Sequence, residues 1–215
     1  MLNLNATFVH MDSPYTLHVA QNTLTKDEAT DLFTTAPIDR ITTISRTDPT
    51  SEKQYRMNLT YLMVNGKEAR TAHMLPAPWR TLFDDLVSDR FTRWLSAGTG
   101  IELGGLSRDM GIYTHVDGDY ISVHKDKPEK AITAILYLND SWPSDGGGEF
   151  EVRMSADAGE PPALSLPPRP GRLLAFPPTD SSWHSVSTVR TDGGRPRLTV
   201  QLEYWFAHED RYSGM

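Results

Sequence analysis

Two residues in the segment GDYISVHKD, His124 and Asp126, have the types and the spacing of metal ligands. Residues two apart on a β-strand leave the same face, so this imidazole and carboxylate could occupy neighbouring positions around one ion. A third ligand has to come from another strand. His184 in SSWHSV is the best candidate, because a predicted strand and a Pro-Pro turn lead into it. Two imidazoles and one carboxylate leave three positions of an octahedral metal open. These three ligands are the donor set used in non-haem Fe(II) oxygen chemistry.

These residues also have ordinary interpretations. A His-x-Asp pair is typical of a surface salt bridge as well, and His208, beyond the last predicted strand, competes with His184 as the third ligand. His115 precedes a turn and has no partner at strand spacing. A hydrogen-bonded loop or pocket histidine is therefore the better interpretation of that residue.

The motifs around these residues occur in a specific order. They are G-D-Y-I-x-x-H-x-D at 118–126, I-T-A-I-L-Y-L-N-D-S-W at 132–142, the glycine-rich turn Gly146-Gly147-Gly148-Glu149-Phe150, P-G-R-L-L-A-F at 170–176, His184, and R-P-R-L-T at 195–199. This ordered set resembles the 2-oxoglutarate/Fe(II)-dependent dioxygenases, and within them the prolyl-4-hydroxylase-like group, over roughly residues 101–206. The resemblance implies a double-stranded β-helix core, a jelly-roll or cupin-like fold, that uses Fe(II), 2-oxoglutarate and O2.

The resemblance also implies roles for individual residues. His124, Asp126 and His184 match the catalytic iron ligands. Arg197, with Thr199 two residues further along the same strand, matches the basic residue that binds the distal carboxylate of 2-oxoglutarate. A guanidinium suits this role because it can donate two parallel hydrogen bonds to a carboxylate.

Further positions are assigned by the same resemblance. Arg195 competes with Arg197 for the co-substrate, since it lies two residues away and faces the same side. Tyr137 matches a tyrosine that assists the carboxylate in some members, although a core tyrosine is an equally good interpretation. Tyr113, His115 and Tyr120 are expected to line the substrate pocket.

The activity implied is hydroxylation of an unactivated C–H bond with release of succinate and CO2. Related halogenases replace the carboxylate ligand with a small residue, so the presence of Asp126 favours hydroxylation over chlorination. We expect a small-molecule substrate, an amino acid or a natural-product intermediate, because the chain contains no recognisable interaction module. The alternatives are a protein or peptidyl prolyl hydroxylase, and a cupin-like metal-binding protein without oxygenase activity, which would leave Arg197 and Thr199 unexplained.

The elements that must position these residues can be predicted in part. A capping box at Thr25 begins a short helix that ends at Pro37, and a long amphipathic helix is predicted from Pro78 to Leu95. A strand over 55–63 leads into a tight turn at Asn65-Gly66. Seven short apolar runs separated by Gly, Pro and Asp predict an antiparallel sandwich or barrel: 102–106, 120–123, 132–138, 149–152, 172–176, 185–189 and 198–206. The polar stretches 45–54 and 106–119 are predicted to be loops and lid candidates.

We therefore predict one α+β domain, mainly β, over residues 1–215. Its parts are a helix and strand support region over 1–100, a double-stranded β-helix catalytic core over 101–206, and a C-terminal tail over 207–215.

Composition excludes several classes of protein. The 215 residues include no Cys, so disulfides, zinc–thiolate sites and cysteine nucleophiles are ruled out, and a metal site has to use imidazole and carboxylate. A net charge of −7 argues against a nucleic-acid partner. No signal peptide or membrane span is apparent, which predicts a cytoplasmic protein without membrane partners. Residues 101–215 carry a net −6 of this charge, which favours a cationic group on the substrate. The sequence does not indicate the oligomeric state.

Overall fold

The computed structural model describes residues 1–206. The predicted tail over 207–215, including His208, lies outside the described residues. Within residues 1–206 the helices are α1 (Lys26–Thr34), α2 (Ala77–Val87) and α3 (Asp89–Thr99), and 3-10 turns occupy Ile38–Arg40 and Arg70–Met74. The strands are β1 (Phe8–Met11), β2 (Leu17–Ala20), β3 (Thr42–Arg46), β4 (Tyr55–Val64), β5 (Lys67–Glu68), β6 (Ser107–His115), β7 (Tyr120–His124), β8 (Lys130–Tyr137), β9 (Phe150–Val152), β10 (Leu164–Leu166), β11 (Leu173–Phe176), β12 (His184–Val186) and β13 (Arg197–Trp205). The predicted α+β class with mainly β content is confirmed.

The strands form one antiparallel sheet that curls. Its order is β1-β2-β11-β8-β13-β6-β4-β7-β12-β9-β10, and β3 and β5 pair with β4 off this path. The first two residues of β4 pair with β7, and the longer remainder of β4 pairs with β6. β4 therefore joins the larger face of the sheet to the smaller face that carries β7 and β12.

Alternation along the central strands separates two environments. On β13 the residues Leu198, Val200, Leu202 and Tyr204 belong to the main hydrophobic core beneath the helices. The intervening residues Arg197, Gln201 and Glu203 line the interior cavity of the curled sheet. Because both faces of the strand are covered, β13 is buried along nearly its whole length. This alternation allows polar side chains to face the interior without exposing the core.

The long predicted helix is two helices. The apolar positions predicted on one face, including Trp79, Phe83 and Phe91, are buried against the larger face of the sheet. The helix stops at Ser88, whose side chain accepts a hydrogen bond from the Phe91 backbone N–H and caps α3. The apolar period continues through the break, because both helices pack on the same core.

The strands differ from the sequence expectation in three places. Residues 107–115, predicted to lie in a polar lid loop, form the buried strand β6, which pairs with both β13 and β4. The run 102–106 is not a strand. β1 and β2 were not predicted and extend the larger face through pairing of β2 with β11. Of the predicted loop 45–54, residues 45 and 46 belong to β3, and 47–54 form a loop between β3 and β4.

No helix within residues 1–206 has the length and apolar character that crossing a bilayer requires.

Candidate metal centre and active site

His124, Asp126 and His184 form a compact cluster inside the curled sheet. One potential ligand atom from each residue lies within 4.8 Å of the other two. His124 ends β7, His184 begins β12, and the two residues are directly opposite in the antiparallel register. Their ring centroids are 4.2 Å apart. The spacing suits three ligands around one metal ion.

Asp126 reaches this cluster from the loop after β7, and not from the strand. Lys130 Nζ lies 3.0 Å from Asp126 Oδ1, and Thr133 Oγ1 donates to Asp126 Oδ2 at 2.6 Å. The shared strand face predicted from the His-x-Asp spacing is thus not what positions the carboxylate. Its orientation comes from the first residues of β8.

The backbone fixes the same tautomer in both histidines. His124 Nδ1 lies 2.8 Å from the carbonyl oxygen of Ser122, and His184 Nδ1 lies 2.9 Å from that of Ser182. A carbonyl can only accept, so each Nδ1 carries the proton. Each Nε2 therefore keeps its lone pair for a metal, as in known imidazole sites with carbonyl partners.

Burial holds these ligands in the protonation states that a cation requires. Desolvation lowers the pKa of the His184 imidazole to about 4. Burial and the neighbouring His184 hold the pKa of His124 well below its ordinary value. For Asp126, burial alone would raise the pKa, but the positive charge of Lys130 and its other neighbours keep it well below its usual range. At neutral pH the cluster is two neutral imidazoles and one carboxylate, which is the form that binds a divalent metal.

Arg197 is fully buried and lines another part of the same cavity. Its Nε donates to the carbonyl of Gly148 at 2.8 Å, and its Nη2 donates to the hydroxyl of Tyr137 at 3.2 Å. Nη1 lies 3.4 Å from His115 Nδ1, which must accept because a guanidinium only donates. Among residues 1–206 no carboxylate lies within 4.0 Å of this guanidinium. Arg197 is therefore a buried cation without an anionic partner, a costly arrangement that a bound anion would relieve.

Two polar atoms beside Arg197 also lack hydrogen-bond partners. They are Thr199 Oγ1 and His115 Nε2, and both residues are completely buried. Thr199 lies opposite Tyr137 on β8 and Tyr113 on β6. An unpaired cation, a free hydroxyl and a free imidazole N–H together suit a carboxylate ligand. These residues fit 2-oxoglutarate, and the histidine–aspartate cluster fits Fe(II).

The remaining predicted site residues lie in different places. Tyr113 lines the cavity, whereas Tyr120, half-buried on β7, does not. Arg195 is exposed before β13, pairs with Asp140 at 2.7 Å and lies over the ring of Phe33. The structure thus brings Arg197, and not Arg195, into the cavity. The expectation that both arginines face one side does not apply, because Arg195 precedes the strand.

The cavity has a volume of about 770 Å³ and contains residues that sequence reasoning missed. They include Lys53, Lys130, Thr133, Glu203 and Trp205. Two signals could have identified four of them. Lys130 follows Asp126 by four residues in KDKPEK, and Thr133, Glu203 and Trp205 are at inward-facing alternate positions of predicted strands. Lys53 carried no such signal.

Comparison with known proteins agrees with this site. Residues 108–207 match the family model described as the 2OG-Fe(II) oxygenase superfamily. The prolyl 3-hydroxylase OGFOD1 of Xenopus laevis is 31% identical over 161 residues, which cover 74% of this chain and 29% of that protein. This part of the chain thus matches the 2OG-Fe(II) oxygenase superfamily, and the chain is similar to a prolyl hydroxylase. It spans less than a third of the length of that curated relative.

Solved structures show the same fold. A prolyl-4-hydroxylase of Pseudomonas putida superposes with a TM-score of 0.61 at 16% identity, covering 89% of this chain and 93% of that chain. A prolyl hydroxylase of Trichoplax adhaerens, in complex with a hypoxia inducible factor oxygen degradation domain peptide fragment, gives 0.60 at 17% identity and covers 88% of this chain and 83% of that one. The predicted double-stranded β-helix is thereby confirmed.

Proposed function

We propose that the chain is a 2-oxoglutarate- and Fe(II)-dependent oxygenase that hydroxylates a C–H bond. One observation carries this proposal. A single cavity is lined by a cluster of two neutral histidines and an aspartate, and also by a buried arginine that has no carboxylate partner within residues 1–206. A cupin-like protein that only binds metal would need the first feature and not the second.

The roles follow from the geometry. His124, Asp126 and His184 would hold Fe(II), and Arg197 with Thr199 would hold the distal carboxylate of 2-oxoglutarate. When bound, these two groups supply the oxidation that converts 2-oxoglutarate and O2 to succinate and CO2 and inserts oxygen into a C–H bond.

The chain also shields this chemistry. The ring of Phe150 stacks on His184 at a centroid distance of 5.3 Å, and Phe176 meets the same imidazole edge-on at 4.8 Å. With Ile135 these rings form an apolar wall on the metal side of the cavity. Such a wall excludes water and limits side reactions.

We further propose that the substrate is a prolyl residue in a peptide chain. A second cavity of about 400 Å³ shares Ile44, Leu59 and Tyr61 with the main cavity and continues along β3 and β4 toward Thr71. An elongated groove suits an extended peptide better than an isolated small molecule. The curated relative and both structural neighbours are named as prolyl hydroxylases. We therefore favour the peptidyl alternative over the small-molecule substrate expected from the sequence.

Succinate release tests this proposal. The protein is supplied with Fe(II), 2-oxoglutarate and a panel of proline-containing peptides, with free amino acids as the small-molecule arm. We expect turnover with peptides, and its loss by more than about a hundredfold in His184→Ala, because a ligand of the metal is removed. His73→Ala is the matched control, since His73 is exposed and is not among the residues that line the main cavity. Equal succinate release by His184→Ala and the unaltered protein would contradict the proposal.

A further inference from the structure

Lys53 shares the cavity with the candidate metal ligands but has no place in the proposed chemistry. It lies near the end of the loop between β3 and β4, two residues before Tyr55. Its half-buried side chain lines the same cavity as His124, Asp126 and His184. The loop therefore brings a cation into the cavity that contains the candidate metal ligands.

The carboxylates whose charges act on this lysine are Asp126 and Glu203, and both already have partners. Both oxygens of Asp126 are engaged, one by Lys130 Nζ at 3.0 Å and the other by Thr133 Oγ1 at 2.6 Å. Glu203 accepts from Lys130 at 2.6 Å. Within residues 1–206, Lys53 Nζ has no carboxylate within 4.0 Å and no hydrogen-bond partner. Burial lowers the pKa of Lys53 to about 8, although the charges of Asp126 and Glu203 act in the opposite direction.

The rest of the lining does not change this picture. Its charged side chains are the cationic Lys53, Lys125, Lys127, Lys130 and Arg197 and the anionic Asp109, Asp126, Glu129 and Glu203. The cavity lining therefore does not carry the net negative charge of the C-terminal half. Arg197 is assigned to the co-substrate, and Lys125 lies over the ring of Trp183 and near Asp180. Lys130 is paired with Asp126 and Glu203, and Lys127 is exposed. Lys53 is the partly buried cation left for the substrate.

We propose that Lys53 binds a carboxylate of the substrate, so that the enzyme selects an acidic group close to the carbon it oxidises. This inference rests on the proposed function and deepens it. The carboxylate can come from an aspartate or glutamate beside the target proline, or from the free carboxyl group of a terminal or single amino acid. In either case the ammonium donates to the carboxylate, and the pairing removes an uncompensated charge from the cavity. The expected preference is opposite to the cationic substrate predicted from overall charge.

Blocked peptides of one length and different charge test this assignment. The probes are acetyl-Glu-Pro-Ala-amide, acetyl-Gln-Pro-Ala-amide and acetyl-Lys-Pro-Ala-amide, together with the isomers that carry the variable residue after proline. L-Proline and its amide form the arm for a free carboxyl group. Dissociation constants are measured by calorimetry with Mn(II) and 2-oxoglutarate, so that binding is read without turnover.

We expect an acidic probe to bind about tenfold more tightly than its neutral partner, as one charge-assisted hydrogen bond gives. Lys53→Gln should reduce that preference to less than about twofold, and Lys53→Glu should favour the lysine probe. Lys127→Gln is the matched control, since Lys127 is an exposed lysine on the rim of the cavity. If only L-proline binds more tightly than its amide, the carboxylate that Lys53 binds is a free carboxyl group. If the glutamate-containing blocked peptides bind more tightly than their glutamine partners, that carboxylate belongs to a side chain.

Three results would overturn the inference: equal binding of acidic and neutral probes, an acidic preference that survives in Lys53→Gln, and binding of none of the probes. Succinate formed from 2-oxoglutarate in the absence of any probe separates this failure from failure of the proposed function. If the oxygenase assignment holds, the unaltered protein shows this background turnover and His184→Ala lacks it, whatever the outcome for Lys53.

Discussion

At the scale of single residues, the hydroxyl of Thr199 distinguishes a binding site from a structural core. The hydroxyl is buried without a hydrogen-bond partner beside the unpaired Arg197. A polar atom left in this condition costs free energy in the empty protein. A fold selected for stability alone would place valine here, because valine has nearly the same shape and no hydroxyl.

Thr199→Val should therefore have opposite effects on stability and on binding. We expect the free energy of unfolding of the apo protein to stay unchanged or to rise by up to about 1 kcal/mol. The affinity for 2-oxoglutarate should fall by about three- to tenfold, because a hydrogen bond to a carboxylate is lost. Denaturant unfolding and calorimetric titration measure the two effects.

Thr133→Val provides the contrast. The Thr133 hydroxyl donates to Asp126 at 2.6 Å, so its loss should lower metal affinity. A Thr199→Val protein that loses stability and keeps its affinity for 2-oxoglutarate would show that the hydroxyl serves the fold.

At the scale of elements, the glycine-rich turn before β9 shapes the co-substrate end of the cavity. Gly147 has a φ of +63°, and a Cβ at this position would meet the carbonyl oxygen of Thr188 at 1.9 Å. The next residue, Gly148, supplies the carbonyl that accepts from Arg197 Nε at 2.8 Å. The turn can lie against the backbone near β12 only because it carries no side chain there.

Gly147→Ala should consequently disturb both the fold and the Arg197 site. We expect a loss of about 2–4 kcal/mol in the free energy of unfolding, since a backbone clash adds to the left-handed strain, and a weaker affinity for 2-oxoglutarate. Gly193→Ala is the matched control. Gly193 has a φ of +72° with nothing within 4 Å of an added Cβ, so only the conformational cost of about 1–2 kcal/mol applies. Equal stability losses in the two variants would contradict the claim that Gly147 is needed because the turn lies against the Thr188 backbone.

The elements also show which features a sequence can reveal. The strands that carry the ordered motifs were predictable, because one face of each is apolar and turn residues separate them. β6 was not, because Asp109 and Tyr113 line the cavity and His115 contacts Arg197, which gives SRDMGIYTH the polarity of a loop. The break at Ser88 was hidden, since both helices continue one apolar face.

The same limit applies to the candidate site. His124, His184 and Arg197 were predictable from residue type and order. Lys53 reaches the cavity from a loop of the N-terminal half, whose course no local pattern specifies. The choice between Arg195 and Arg197 depended on where β13 begins, and strand ends are poorly defined by sequence.

At the scale of the whole molecule, several buried histidines make stability depend on pH. Burial lowers the pKa of His18, His115, His124 and His184 below their ordinary values. The unfolded chain takes up protons on these imidazoles near pH 6.5, and the folded chain does so only at lower pH. The unfolded state thus binds more protons between these limits, and stability decreases as pH falls.

The apo protein should accordingly lose stability between pH 7 and pH 5. Each imidazole that protonates only in the unfolded state contributes about 1.4 kcal/mol per pH unit below 6.5. The depressed pKa of Asp126 acts at lower pH, outside this window. Denaturant unfolding at pH 7, 6 and 5 measures the effect. A free energy of unfolding that is constant or higher at pH 5 would contradict it.

The central claim is that one cavity holds Fe(II) on its histidine–aspartate cluster and 2-oxoglutarate on Arg197. The most direct measurement is a titration of 2-oxoglutarate into the Fe(II)-loaded protein under argon, followed by the visible charge-transfer absorption of a chelated α-keto acid. We predict saturable absorption in the unaltered protein, an affinity at least about tenfold weaker in Arg197→Gln, and a change within about twofold in the surface variant Arg195→Gln. An unaltered affinity in Arg197→Gln, or a larger loss in Arg195→Gln, would contradict the account.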